Sequence, residues 1–270
     1  MKPGILSALL LCVLLLGWEL AARPATTGAS QGAYAELVAA DGATAHIPPP
    51  SAVFSLAIEQ LSDPFYDRGS NDKGIGIQLL FSLGRVFTGY SLALAVAIPL
   101  GFVIGMSKLM LQVLNPFIQM LKPISPLAWM PLALFIIKDS VASAVFVIFI
   151  CSLWPVLINT AFGVHGVHRD YINVAQTLEL SRLRTALTII LPAAAPTILT
   201  GMRISIGISW LVIVAAEMLV GGTGIGYYVW NEWNNLDLAA VIFSILVIGV
   251  VGMCLDALLG LAGKRVSYDA

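Results

Sequence analysis

Charge is what this chain has least of. Of 270 residues only 11% are Asp, Glu, Lys or Arg, against 59% hydrophobic, whereas a water-soluble domain carries about 25% charged residues. Too few remain to coat a water-facing surface, so a soluble globular domain is excluded. A formal net charge of −1 and the lack of a basic tail leave nothing to bind nucleic acid. Cysteine is scarce as well. Cys12, Cys151 and Cys254 all fall in apolar runs with no useful pair spacing, so they read as small buried hydrophobes rather than disulfides or zinc ligands. The stretch from Gly260 to Lys264 is too short for a phosphate-binding Walker A loop and is followed by Arg265, not Ser or Thr. His46, His165 and His168 form no H-E-x-x-H pair, and there is no G-x-S-x-G elbow. A membrane hydrolase therefore lacks its residues, and no metal or cofactor is expected on this chain.

What is present is a series of long apolar runs. A transmembrane helix needs about 20 mostly apolar residues, and six stretches qualify: 5–22, 79–106, 113–137, 141–164, 192–220 and 238–262. The fold class is therefore an all-α, six-helix membrane protein. The third stretch is the weakest, broken by Pro116, Pro123, Pro126 and Pro131. Prolines at membrane depth are tolerated where protein or a water-filled cavity satisfies the freed backbone, so this span is expected to line something.

The basic residues orient the chain. With both termini inside, the cytoplasmic connections carry Lys2, Lys108, Arg169, Arg182, Arg184, Lys264 and Arg265. The external ones carry Arg23, Arg68, Lys73 and Lys138 over a longer length of chain. Lys2, the first apolar run and Leu20-Ala21-Ala22 also fit a cleaved signal peptide. Trp18 and Glu19 spoil the small-residue cleavage context, so an uncleaved anchor is expected. Residues 28–77 read as an external insert with a short surface helix over 51–61, Ser51 its candidate N-cap. The chain divides into an anchor and external segment, 1–77, and a membrane domain, 78–265.

One polar stretch, 170–192, interrupts the apolar sequence on the cytoplasmic side. Tyr171, Val174, Ala175 and Leu178 share a helical face, while Leu180, Leu183 and Leu187 form a second stripe of different phase. The break falls at Leu180-Ser181, where Ser181 can cap a second helix. Two short helices joined by a tight turn result, suited either to docking a partner or to resting on lipid.

This stretch resembles the cytoplasmic loop of type I ABC importer permeases, whose pattern reads E-A-A-x(3)-G-x(9)-I-x-L-P. Ala175 stands at the second alanine, Ile189 at the isoleucine and Leu191-Pro192 at the Leu-Pro. Asn173 replaces the glutamate, Val174 the first alanine and Glu179 the glycine. A glycine there suits a left-handed turn and a non-glycine costs about 1 kcal/mol, so a tighter or shifted turn is expected. The stretches 82–105, 115–135, 153–164 and 198–219 are similar to core helices of the same permeases. The last, with the Trp-Asn-Glu-Trp run of 221–237, is most similar to the nitrate branch, whose neighbours handle bicarbonate and cyanate. The sulfonate and taurine branch is similar overall but usually lacks that run.

The resemblance implies a homodimeric permease with two ABC ATPase subunits docked on the loops and an external substrate-binding protein. ATP would be consumed by the partner subunit. The coupling residues would be Asn173, Ala175, Leu178, Glu179, Leu180, Ser181, Arg182, Leu191 and Pro192. Replacing Ala175 by Asp would be expected to uncouple docking in a folded chain. An ion-coupled carrier is the alternative of a different class, though no repeat relates the two halves.

Ionisable groups inside spans are candidates for a substrate pathway. Lys122, in the proline-broken helix, either attracts a small anion or snorkels. Arg203 either lines the pathway or snorkels inward, and Arg85 more simply snorkels. Glu217 needs a cation or water beside it. Asp256 is placed at the inner end of the last span beside Lys264 and Arg265. Ser205 and Ser209 are pathway candidates that can equally satisfy backbone between helices, as can Asn159. The glycine-rich 221–226 reads as an external turn or gate.

Overall fold

The computed structural model describes residues 3–22, 47–69 and 72–266. The expectations for residues 23–46 and for the C-terminal tail beyond 266 lie outside the described residues. So does the side-chain neighbourhood of Lys264 and Arg265. Two compact units are formed: Met1–Pro64 with Val229–Leu246, and Phe65–Tyr228 with Val247–Ala270.

In the first unit, α1 (Pro3–Ala22) is followed by α2 (Pro50–Ser62). The expected surface helix is therefore present, but Ser51 does not cap it. Pro49 takes that place in extended conformation and Pro50 opens the helix, where its missing N–H is harmless. Ser51 instead donates its N–H and hydroxyl to the Glu19 carboxylate of α1, both at 3.2 Å. Phe54, Ile58 and Leu61 face outward at the i, i+4, i+7 spacing of one helical stripe.

The second unit holds α3 (Ile75–Gly105), α4 (Lys108–Leu121), α5 (Pro126–Ile137) and α6 (Ser140–His165). These are followed by α7 (Arg169–Thr177), α8 (Arg182–Thr185), a π-helical turn Ala186–Ile190, and α9 (Leu191–Val220). The chain closes with α10 (Ile225–Asn234) and α11 (Leu238–Val266), each running through both units. Side-chain caps start two of the long helices: Asp139 accepts the Ala142 N–H at 2.6 Å and Asp237 the Ala240 N–H at 2.9 Å.

Helix α6 is the centre of its unit, packed against α3 on one side and α9 on the other. Small residues allow this. Gly101 and Gly105, one turn apart on α3, lie so close to α6 that an added Cβ would press on the carbonyls of Leu157 and Ala161. In lipid, where apolar burial does not drive helices together, such close backbone approach does. Many large apolar side chains face outward instead, among them Leu100 at 48% and Leu211 at 68% exposed, as lipid-facing positions require. Cys12 and Cys254 are among the outward-facing residues, which corrects their reading as buried. Lipid rewards apolar character outside a helix as much as inside.

Among the described residues five helices are long and apolar enough to cross a membrane, and the sixth expected span is a bent pair, α4 and α5, at 89°. The bend lies at residues 122–125, between α4 and α5. Pro116 and Pro131 are carried inside helices, while Ser125, extended at ψ 135°, precedes Pro126 at the start of α5, as the residue before a proline prefers. The weakest span in the sequence is thus a broken one. Among the described residues there is no β-sheet, only one isolated bridge between Asp67 and Lys73.

Candidate functional site

At one end of α9 the polar stretch forms the expected pair of short helices. Leu180 N–H bonds the Ala175 carbonyl and Glu179 N–H the Gln176 carbonyl, each at 3.0 Å, a Schellman ending for α7. Such an ending needs a left-handed residue. Glu179 supplies it at φ 51°, so the turn is neither tighter nor shifted, and the glutamate sits in the conformation a glycine would adopt without strain. Ser181 caps α8 by accepting the Arg184 N–H at 3.4 Å. Beyond α8, Leu191 N–H reaches back to the Ala186 carbonyl. This widened turn lies just ahead of Pro192, whose ring would crowd an ordinary α-helical turn. The helix is therefore continuous from Arg182 to Val220.

The loop presents an apolar surface. Tyr171, Val174, Leu178, Leu183 and Leu187 are 54–71% exposed, while Ala175 is only 1% exposed. Ala175 faces into the fold, so Asp there would disrupt packing before it disrupted docking, a correction to the expected clean phenotype. Leu180 and Leu191 are half-buried, and Asn173, Glu179, Ser181, Arg182 and Pro192 are exposed.

At the far end of the same helix lies a buried charge. Glu217 is 2% exposed. Its carboxylate receives Arg85 Nη1 at 2.6 Å, the Ser82 hydroxyl at 2.8–2.9 Å and the Gly226 N–H at 3.0 Å. Arg85 Nη1 also donates to the Thr223 carbonyl at 2.7 Å. Gly224 N–H goes to Gln78 Oε1 at 2.6 Å and Ile225 N–H to the Ser82 hydroxyl at 2.9 Å. Three elements, α3, α9 and the turn 221–226, are thus tied at one carboxylate. Any side chain at Gly224 would strike that carboxylate, and one at Gly226 would strike the Val214 carbonyl. Arg85 does not snorkel: pairing with Glu217 offsets the cost of burying both charges. The Ser82 and Gln78 contacts carry no sequence signature, since polar residues on an apolar helix show their partners only once folded.

The remaining candidates separate. Ser205 and Ser209 are fully buried in the α6–α9 seam. Ser205 donates to the Ser152 carbonyl at 2.7 Å, and the Ser152 and Ser209 hydroxyls meet at 2.6 Å. They join α6 to α9. Asn159 donates to the Pro155 carbonyl at 2.7 Å within α6. Arg203 forms a two-pronged pair with Asp256 of α11, a partner the sequence did not indicate. The pair borders an open groove of about 630 Å³. Lys122 is exposed at the α4–α5 bend and borders a small cavity of about 200 Å³ with Trp129 and Trp154. Among the described residues no His, Cys, Asp and Glu cluster could hold a metal.

Residues 97–268 match the family model described as binding-protein-dependent transport system inner membrane component. A nitrate import permease protein of Synechocystis sp. is 46% identical over 80% of this chain and 78% of its own length. A bicarbonate transport system permease protein of the same organism is 44% identical over 78% of this chain and 76% of its own. Among solved structures, an inward-facing form of the MetNI methionine ABC transporter superposes with a TM-score of 0.62. It is 12% identical and covers 71% of this chain and 95% of that one, which shows a shared fold.

Proposed function

The chain belongs to the binding-protein-dependent transport system inner membrane component family, and from that premise we propose that it is the permease subunit of an ATP-driven importer of nitrate or a similarly small oxyanion. It is a non-catalytic, multi-pass inner-membrane subunit. The substrate reading rests on its likeness to nitrate and bicarbonate permeases over about four-fifths of its length. Residues 78–265 are the permease domain and both termini lie in the cytoplasm. A second copy completes the pathway, two ATPase subunits dock on the α7–α8 loops, and an external binding protein delivers the anion. Lipid covers the remaining outward-facing apolar surface.

The observation that carries the coupling role is the exposed apolar surface of Tyr171, Val174, Leu178 and Leu183 on a rigidly capped helical turn. Exposed apolar surface of this kind, between polar residues, suits a partner's groove. Asn173, Glu179, Ser181 and Arg182 rim it, Ala175 and Leu180 hold it to the fold, and Leu191 and Pro192 pass its motion into α9. Arg182 and Glu217 stand on one continuous helix about 50 Å apart at 1.5 Å per residue, so a displacement of the docked loop reaches the Glu217 cluster directly. Closure of the ATPases on ATP would tilt this helix and release the turn 221–226.

Leu178→Asp tests the reading. Leu178 is 63% exposed, so a charge there leaves the chain folded and inserted but should abolish co-purification with the ATPase. Undiminished co-purification would count against the docking face. Uptake that survived ATP depletion and followed a proton gradient would point to an ion-coupled carrier instead.

A further inference from the structure

The α4–α5 bend holds a cavity of about 200 Å³ whose walls include Lys122, Ser125, Trp129, Cys151, Trp154 and Ile208. Its depth follows from the two long helices behind it. At 1.5 Å per residue, Trp154 lies about 21 Å along α6 from Ser140 and about 17 Å from His165. Ile208 lies about 18 Å along α9 from Val220 and about 24 Å from Pro192. Both positions fall near the middle of a hydrocarbon core about 30 Å thick. A lysine stem does not reach the headgroups from there, so Lys122 does not snorkel. Lys122 is nevertheless exposed, and its ammonium forms no hydrogen bond or ion pair among the described residues. An unpaired ammonium turned to lipid at that depth is costly, so its accessible face meets water inside the pathway. The backbone agrees, because a helix broken at mid-membrane is tolerated where it lines such a cavity.

We infer that the Lys122 ammonium is a subsite for a small monovalent oxyanion midway along the pathway. The inference rests on the oxyanion-importer reading and assigns the place where the permease itself meets the anion. No Asp or Glu is among the described walls of the cavity, so nothing there competes for the cation. Its volume is below the about 300–1,000 Å³ of pockets that hold drug-sized ligands, which restricts the occupant to a small ion. A single ammonium balances one charge. A dianion such as sulfate would keep one charge uncompensated in a poorly hydrated site, and that is costly. Trp129 and Trp154 are half-buried, and their indole N–H groups find no acceptor among the described residues, leaving two further donors on the walls. Helix α5 starts at the same bend and the Ser125 side chain does not cap it, so the positive end of its dipole adds to the field of Lys122. Ile208 places one wall on α9, so a tilt of that helix would also reshape this cavity.

The test uses the full importer in liposomes, with Cys12, Cys151 and Cys254 replaced by Ala and Ser125→Cys introduced as a reporter. Ser125 is exposed at the bend, so an uncharged, water-soluble methanethiosulfonate reagent should label it. Potassium nitrate or potassium bicarbonate should slow labelling about fivefold relative to potassium sulfate at equal ionic strength and pH. Adding Lys122→Gln should abolish that protection, whereas Lys122→Arg, which keeps the charge, should retain it. In the otherwise natural chain, Lys122→Gln should cut ATP-driven uptake of the anion at least tenfold and Lys122→Arg should restore most of it. No labelling, equal labelling in the three salts, or protection that survives Lys122→Gln would overturn the subsite. So would unchanged uptake in Lys122→Gln, or an equal loss in Lys122→Arg, since charge would then not be the requirement. Those outcomes leave the cargo reading standing if the wild-type importer accumulates nitrate or bicarbonate. A wild-type importer that accumulates neither would overturn the cargo reading, while the labelling ratio still decides the subsite.

Discussion

Replacing Arg85 by Leu strands the Glu217 carboxylate. That carboxylate is 2% exposed and loses its only cation among the described residues, 2.6 Å away. Removing one partner of a buried ion pair costs about 3–5 kcal/mol. The Ser82 hydroxyl and Gly226 N–H remain as donors and hold the cost near the lower end, about 3 kcal/mol. Glu217→Gln keeps the shape but removes the charge, and its amide must turn an N–H toward one of three existing donors. It should cost about 2 kcal/mol. The double variant has no stranded charge, so its loss should fall short of the sum by about 2 kcal/mol. Thermal or SDS-induced unfolding of the purified variants in one detergent reads all three, with a matched insertion control. Losses that add to within about 0.5 kcal/mol would refute the pairing as the reason Glu217 is buried.

Glu179→Gly should stabilise the chain by up to about 1 kcal/mol, since φ 51° penalises a side chain; Glu179→Val should lower the melting midpoint. Gly105→Ala should cost about 1–3 kcal/mol by overpacking against the Ala161 carbonyl and Val164, read by the same unfolding assay. Ser209→Ala should lose about 1 kcal/mol with its bond to Ser152 and leave anion uptake intact. A folded Ser209→Ala importer that no longer transports would return Ser209 to the pathway.

Much of the fold was legible because lipid imposes a simple rule on sequence. A segment must be long, apolar and helical to cross, and five of the six expected spans are single helices of that kind. Proline density marked the sixth as unusual, but its right-angle bend depended on how α4 and α5 pack. The two-helix loop was legible from phase, and Ser181 caps as its chemistry suggests. The strain at Glu179 was not. Propensity argued for a shifted turn, whereas the Schellman bonds from Leu180 and Glu179 to the end of α7 outweigh about 1 kcal/mol of local cost.

Sequence by itself determined the class, the helical spans and the capped loop, because hydrophobicity, helix phase and capping act over neighbouring residues. Tertiary structure alone decided which charges are partners. Arg85 and Glu217 are 132 positions apart, and Arg203 and Asp256 are 53 apart. It also turned Ala175 inward while leaving Val174 and Leu178 outside. Such choices arise where helices distant along the chain meet, and a pattern read along one helix carries no record of the surface that another helix brings to it.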